Sequence, residues 1–324
     1  VKAPNRPAEN SSTLMSSNES VDNEAGPLVS VIVPCYNSER TIRRCLTSIT
    51  NQQTSVSFDV TVVDSSSDQT PRIVEREFPS VRLIHHETRT FAGAARNSGV
   101  RATRAPYCLM IDSDCVAQAD LIERMITRHR EAHYAAVGGS LANGTPRSLS
   151  GLVSYLAEFK EFIPAAPKRL VTSVPTANVA YRRETLERFG CFDESVSMAE
   201  DLLLHWQMHS AGECIVFDPT IKVTHLNRTG WREVLSYQVS LGMASARARG
   251  LGGLPGAFLL DHPALILLVP FARTARAARW LARYDLKKFL LFLLIWPLYL
   301  LAMSFWAFGF FRETLGSNRS VDIP

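Results

Sequence analysis

The chain has no C-x-x-C pair, and its six cysteines (35, 45, 108, 115, 191 and 214) are scattered. That spacing argues against a zinc site or a dithiol redox motif. Most of them fall inside apolar segments, where a buried free thiol in a reducing compartment is the plain reading. A strong charge of either sign is also missing: the formal net charge is +4 over 324 residues, and the excess of Lys and Arg comes late in the chain. So mild a balance, without a helix-turn-helix, zinc-finger or RNA-binding signature, gives no support to nucleic acid as a partner. Glycine motifs are missing too. No G-x-G-x-x-G follows the first apolar run, which disfavours a dinucleotide site, and no G-x-x-x-x-G-K-[ST] marks a P-loop. Residues 1–27 have few large apolar side chains and many Ser, Asn, Glu and Pro. They are expected to form a disordered tail, with no apolar core of a signal peptide. On that reading the N-glycosylation matches at Asn10 and Asn18 are accidental.

What is present is alternation. Leu28–Val33 reads as a strand, and Ser38 then caps a helix over Glu39–Thr50. Strands follow at Phe58–Asp64 and Val81–His85, with a helix between them through Glu75 to Phe78. A Gly- and Ala-rich turn and helix, Phe91–Gly99, leads to a fourth strand, Tyr107–Ile111. Strand–helix repetition of this kind predicts an α/β fold. The nearly continuous apolar runs predict a parallel sheet covered on both faces. Three strand ends carry polar groups: Tyr36 and Asn37, Asp64 and Asp68, Asp112 and Asp114. Ligands of open α/β sheets bind outside the carboxyl ends of the strands, so the three sets are expected to share one crevice. Asp112-Ser-Asp114 suits a hard divalent cation, with oxygen ligands close together. The rival reading is that these residues cap the next helix, expected over Ala117–Arg130. The crevice is expected to hold a phosphorylated ligand through a metal rather than through a glycine cradle.

An ordered series of segments now matters: Val29-Ser-Val-Ile-Val-Pro-Cys-Tyr-Asn37, Val62-Val-Asp-Ser-Ser-Ser-Asp-Gln-Thr70, Ala92-Gly-Ala-Ala-Arg-Asn-Ser-Gly99, Asp112-Ser-Asp114, Ala177-Asn-Val-Ala-Tyr-Arg-Arg183, Gly190-Cys-Phe-Asp-Glu194 and Glu200-Asp201. The series resembles the family 2 glycosyltransferases, inverting enzymes that use nucleotide sugars. The resemblance implies a GT-A type fold, a Rossmann-like and mostly parallel sheet with helices on both faces, over residues 28–250. It implies that Pro34, Tyr36, Asn37 and Asp64 line the nucleotide base and ribose. It implies that Asp112 and Asp114 flank the diphosphate and hold Mg²⁺ or Mn²⁺, and that Asp201 is the catalytic base. Asp64-Ser65 stands where the family often has Asp-Asp or Asp-Gly, which leaves the nucleotide open.

The residues themselves fit such chemistry. A cation bridging two phosphates stabilises charge on a leaving group without proton transfer. An acceptor hydroxyl needs a base on the opposite face. Asp201 opens an expected helix ending at Gly212, with Glu200 as a supporting group. The rival reading is an acidic first turn that complements the helix dipole. That position also predicts an Asp201 ionised at neutral pH. Arg96 and Asn97 are candidates for the nucleotide side, although Arg96 equally suits a structural pair with Asp64 or Asp112. Asn178, expected in a short strand over Thr176–Ala180, is a candidate for donor sugar or acceptor, or a buried amide. His225 is either a further metal or phosphate ligand or a capping histidine. Arg228 and Trp231 are candidate phosphate and acceptor contacts. Residues 144–175 read as a loop. The Gln-x-x-Arg-Trp signature of processive synthases is missing, so one or a few sugar additions are expected.

The last part of the chain has membrane character. An amphipathic helix is expected over Trp231–Arg249. The segment 251–288 reads as interfacial, with Arg273, Arg276, Arg279, Arg283, Lys287 and Lys288 suited to an anionic surface. Residues 289–311 carry no charge. At about 1.5 Å per residue they reach roughly 35 Å, enough to cross a bilayer, unless Pro297 bends them into a re-entrant hairpin. A short tail, 312–324, follows. The basic flank is expected to stay cytoplasmic, and with it the catalytic part, where the family resemblance also implies that nucleotide sugars are made. The expected protein is a membrane-associated, metal-dependent inverting glycosyltransferase. Its expected acceptor is a hydroxyl on a lipid-linked or cell-envelope glycan. A nucleotidyltransferase would want a Gly-rich basic loop after the first strand. A non-catalytic, membrane-tethered scaffold on the same fold is the other rival.

Overall fold

The computed structural model describes residues 26–317. Nearly all of the expected tail 1–27, with Asn10 and Asn18, lies outside the described residues, as does the end of 312–324. The elements run β1 (Val29–Cys35), α1 (Ile42–Thr50), β2 (Phe58–Asp64), α2 (Thr70–Glu77), β3 (Arg82–His85), α3 (Ala92–Ala102), β4 (Tyr107–Ile111), β5 (Cys115–Ala117), α4 (Leu121–Glu131), β6 (Ala136–Asn143), α5 (Leu149–Phe159), β7 (Arg169–Val171), β8 (Asn178–Arg182), α6 (Arg183–Arg188), α7 (Glu200–Ser210), β9 (Ile215–His225), α8 (Trp231–Gly252), α9 (Phe258–Asp261), a 3-10 turn (Pro263–Leu268), α10 (Val269–Tyr284) and α11 (Leu286–Ser317).

One sheet runs β3-β2-β1-β4-β8-β6-β9-β5, and β7 pairs with β9. Strands β3, β2, β1 and β4 pair in parallel, as the apolar runs predict. Val31, Ile32 and Val33 of β1 and Cys108 to Ile111 of β4 are buried, so both faces are covered. The chain moves outward from β1 to β2 and β3, then returns to lay β4 on the other side of β1. That reversal is a topological switch point, where α/β sheets open a crevice. Helix α3 sits hard on β1 there: a Cβ added at Gly99 would come within 2.5 Å of the Ile32 side chain. Beyond β4 the sheet turns mixed, with β8 antiparallel to both β4 and β6.

Two local expectations, the Ser38 cap and the loop over 144–175, are corrected, and two rival readings are set aside. Ser38 does not cap a helix; α1 starts at Ile42. The aspartates after β4 do not cap the next helix, because β5 intervenes and α4 begins only at Leu121. Residues 144–175 hold a helix, α5, buried over most of its surface, so the polar face that would have revealed it is absent. Finally, α11 is one continuous helix through Pro297 rather than a hairpin. Its stripe Phe292, Ile295, Tyr299, Met303, Trp306 and Phe310 is buried, while Leu290, Leu294, Leu301 and Phe308 face outward. It packs on α8 with backbone nearly touching backbone: a Cβ added at Gly242 would lie 2.0 Å from the Trp306 carbonyl oxygen, and one at Gly309 as close to that of Val239. Small residues at a crossing permit such approach.

Candidate functional site

A cleft of about 1440 Å³ opens over the carboxyl ends of β1 and β4 and runs on toward α8, α10 and α11. Its near wall is made of the turns after β1 and β2. Asn37 holds φ at +53°, a left-handed conformation that asparagine tolerates better than most residues. The strain is offset locally: the Asn37 N–H donates to Ser66 Oγ at 2.7 Å, and Asn37 Oδ1 accepts from the Ser67 N–H at 3.0 Å. Tyr36 is exposed at the rim, under the Arg89 guanidinium at 4.4 Å from the ring centre. Ser38 and Ser113 join this wall to the floor by a 2.7 Å hydroxyl contact.

The floor is acidic. Asp112 accepts from the buried Arg96 at 2.7 Å, and the other arm of that guanidinium donates to Glu200 at 2.5 Å. Asp114 lies beside His225, with 3.5 Å between Oδ1 and Nε2. The orientation of that imidazole follows from its neighbours. Asn227 directs its amide NH₂ at the Asn143 side-chain oxygen and the His225 carbonyl, both acceptors. Its Oδ1 therefore accepts from His225 Nδ1–H, at 2.9 Å. In the neutral ring Nε2 is then a bare lone pair turned toward a carboxylate oxygen, as expected of a ligand oriented by an outer partner. Burial pushes the Asp114 carboxyl up and neighbouring Asp112 adds to it, against His225 and Arg228. A cation between Asp114 and His225 would offset that cost by favouring the ionised carboxylate. Cys115 also lies within reach, but burial above all pushes its thiol well up. A thiol is in any case a poor ligand for a hard cation, which takes oxygen donors. Asp114 and His225 therefore fit a divalent ion, while Asp112 stands outside that cluster with one oxygen on Arg96.

Glu200 and Asp201 reach the cleft because Ala199, in the left-handed region at φ +67°, turns the chain into α7. A non-glycine residue there marks strain that the surroundings hold in place. The Leu202 N–H donates to Asp201 at 2.8 Å. Asp201 is nonetheless not held in its ordinary ionised range. Burial first, then the Glu200 charge, push its carboxyl up to about 7, outweighing Arg96 and the backbone donor. The expectation from helix position alone is corrected on this point.

Four candidates stand off the cleft lining. Asp64 is fully buried and braces the turns, accepting from the Ser66 N–H at 3.1 Å and facing His85 Nδ1 at 2.7 Å. Asn97 clamps the segment before α7 through the Phe192 carbonyl and Glu194. Asn178 donates to the Ser140 and Ile221 carbonyls, where the β6–β9 register shifts. Trp231 sits at the start of α8, partly exposed. For Asn178 the polarity is a true signal that something needs hydrogen bonds, but the something is backbone. Glu158, Tyr237 and Lys160 are among the lining residues that went unread in the sequence. Glu158 accepts from Ser154 at 3.0 Å, and burial pushes it up. Arg228 lies 3.5 Å over the Tyr237 ring. Glu158 and Lys160 were hidden by the buried character of α5.

Comparison with known proteins agrees with this geometry. Residues 30–190 match the family model Glycosyl transferase family 2. The pre-mycofactocin glycosyltransferase of Mycobacterium tuberculosis is 26% identical over 223 residues, covering 67% of this chain and 47% of its own length. This chain thus spans about half the length of that relative. The succinoglycan biosynthesis protein ExoO of Rhizobium meliloti is 31% identical over 229 residues, 64% of each chain. Among solved structures, the mannosyltransferase PcManGT from Pyrobaculum calidifontis, in complex with GDP-Man and Mn²⁺, has a TM-score of 0.57 at 22% identity, covering 93% of this chain and 90% of that one. The likeness extends to the fold.

Proposed function

We propose that this chain, which belongs to glycosyltransferase family 2, transfers a sugar from a nucleotide diphosphate donor to an acceptor hydroxyl with inversion. The observation that carries the reading is the Asp114–His225 pair, 3.5 Å apart with Nε2 free of its other hydrogen bond, at the carboxyl end of a strand beside the switch point. Asp112, Asp114 and His225 would hold a divalent cation. When bound, it supplies positive charge for the diphosphate as negative charge builds on the leaving phosphate oxygen. Tyr36 and Asn37 would face the base and ribose, and Arg96 keeps Asp112 and Glu200 apart in fixed positions. Asp201 takes the proton of the acceptor hydroxyl. That oxygen then bonds to the anomeric carbon on the face opposite the diphosphate, the bond to the phosphate oxygen breaks, and configuration inverts. The acceptor is part of a lipid-linked or envelope glycan, a reading supported by α11. That helix is long and apolar enough, by length and composition, to cross a membrane. The basic residues of α10 and the start of α11 favour a cytoplasmic placement of the cleft.

The test is a melting experiment on the full chain in detergent with uridine, guanosine and thymidine diphosphates, each with Mn²⁺ or EDTA. A ligand bound only by the folded state adds about 2.7 kcal/mol at a hundredfold excess over its dissociation constant. A rise with one diphosphate, dependent on Mn²⁺ and lost in Asp114→Ala, is expected. Folded protein that responds to none of them would leave a non-catalytic scaffold as the better reading.

A further inference from the structure

The cleft is larger than a donor requires: about 1440 Å³, where small-ligand pockets span roughly 300–1,000 Å³. The excess lies beyond the carboxylates, and there the lining changes sign. Lys160, at the C-terminal end of α5, is 7% exposed. Among the described residues its ammonium makes no hydrogen bond and no ion-pair contact. The adjacent Glu161 is taken, both of its oxygens lying 2.8 Å from Arg276. Arg273 stacks on Trp306 at 4.3 Å from the ring centre and meets no carboxylate at ion-pair distance among the described residues. Arg249 donates only to neutral groups, Pro255 O, Ser245 O and Ser245 Oγ. Burial first, then Arg273, push the Lys160 ammonium down to about 7. A half-buried group of like charges around a buried lysine, offset only by Glu161 that is itself paired with Arg276, is unfavourable unless an anion joins it. The same end of the cleft has apolar lining from Leu241, Leu259, Val269 and Trp306. Beyond it Leu267, Leu268 and Phe271 lie exposed, next to the outward apolar face of α11.

We propose that Lys160, Arg273 and Arg249 bind the phosphate of a lipid-linked acceptor, whose hydrocarbon chain leaves along α10 and α11. The inference rests on the transfer reading above for the word acceptor; the anion site itself stands on the charges. It also explains the architecture of α5. Its last turn turns Glu158 toward Arg228 and lays Phe159 on the His225 ring at 4.7 Å, and Lys160 follows immediately. One short stretch of backbone thus joins the donor floor to the acceptor end and fixes the span between them.

The experiment is equilibrium binding of dodecyl phosphate to the full chain in nonionic detergent, with inorganic phosphate and dodecanol as comparison arms, in wild type, Lys160→Met and Arg273→Gln. Lys160→Met keeps the apolar stem and removes the charge, so it is expected to fold at least as well. Each substitution is expected to weaken dodecyl phosphate at least tenfold, while Mn²⁺-dependent binding of the nucleotide diphosphate stays unchanged. Dodecyl phosphate is expected to bind at least tenfold tighter than either comparison compound, and to do so with nucleotide diphosphate and Mn²⁺ saturating. Equal binding of inorganic phosphate would overturn the lipid assignment. Competition between dodecyl phosphate and the nucleotide would assign the cations to the donor instead and overturn the proposal. So would variants that bind dodecyl phosphate like wild type. Because donor binding is read separately, failure here leaves the transfer reading standing, and loss of donor binding in wild type would sink that reading alone.

Discussion

The two ends of the cleft treat charge in opposite ways. At the acidic end most carboxylates have an answer within the chain: Asp112 and Glu200 share Arg96, and Glu158 has Ser154, while Asp114 faces the bare Nε2 of His225. At the basic end Lys160 and Arg273 have no carboxylate partner among the described residues. The acidic end is a preorganised frame in which one more cation completes a charge balance. The basic end carries more positive charge than Glu161 offsets, and an anionic ligand would restore the balance. Preorganisation of the first kind is what catalysis uses, since groups already oriented need not reorganise as charge develops. Imbalance of the second kind is what binding uses.

The comparison breaks most visibly at Asp201. Asp201→Asn keeps shape and removes the base, and transfer is expected to fall by about 10²–10⁴ with binding at both ends retained. Steady-state rates read beside donor binding check this; a variant within tenfold of wild type would move the base elsewhere. The same substitution should raise the melting temperature at pH 8. An acid whose folded pKa is raised binds its proton more tightly when folded, so it destabilises the fold at pH above that pKa. The cost fades as pH falls from about 7, so the gain should vanish near pH 4. Next in size is Asp114→Ala. Removing a charge partner of the leaving group costs about 3–4 kcal/mol of barrier, near a thousandfold, and the Mn²⁺-dependent melting shift should go with it. Dodecyl phosphate binding should stay, which sharpens the division between the two ends.

The sequence carried the acidic end further than the basic one, for physical reasons. Strands are read from apolar runs, and the residues at their carboxyl ends follow at once, so Asn37, Asp112 and Asp114 were legible as neighbours before any coordinates. Asp201 was legible only through its place in an ordered series, and its ionisation was not. Position at a helix start speaks for the charged form, whereas burial and Glu200 speak for the neutral one, and the latter appear only in three dimensions. Asp64 was read from the end of its strand and from the family resemblance, and Asn97 and Asn178 from segments of the same ordered series. Each makes hydrogen bonds within the chain, Asp64 to its turn and His85, Asn97 to the segment before α7 and Asn178 to opened backbone, a demand that sequence cannot tell from ligand binding. The basic end was invisible because Lys160 and Arg273 lie far apart in the chain, and α5, which brings one to the other, has no polar face to betray it. The long apolar helix α11 was plain from composition alone. Its crossing with α8 through Gly242 and Gly309 was not.

A smaller effect tests how far the acidic end depends on orientation. Asn227 touches no candidate ligand except His225, through the Nδ1 hydrogen bond. Asn227→Ala leaves the imidazole free to change tautomer and tilt, and loss of an outer partner of this kind typically weakens metal binding about 10–100-fold. A Mn²⁺ titration of the nucleotide-dependent melting shift reads that directly, and the maximal shift at saturating metal should be restored. If Asn227→Ala titrates like wild type, His225 is not a ligand and the cation is held by the aspartates alone.

The smallest effect is a shift of pH profile, and it separates the two carboxylates of α7. With the Asp201 carboxyl near 7, the transfer rate should climb with pH through that value, and at pH 6 about a tenth of the base is ionised. Glu200 raises that value by its charge, second only to burial. Glu200→Gln removes the charge while the side-chain oxygen still accepts from Arg96. The acidic limb should therefore move to lower pH, with relative activity at pH 6 rising against the plateau even if the plateau itself declines. A limb that stays in place in Glu200→Gln, but disappears in Asp201→Asn, would leave burial as the whole cause. A limb unchanged in both would detach the profile from α7 and point to the metal-side carboxylates, the one result that would force the acidic end to be divided again.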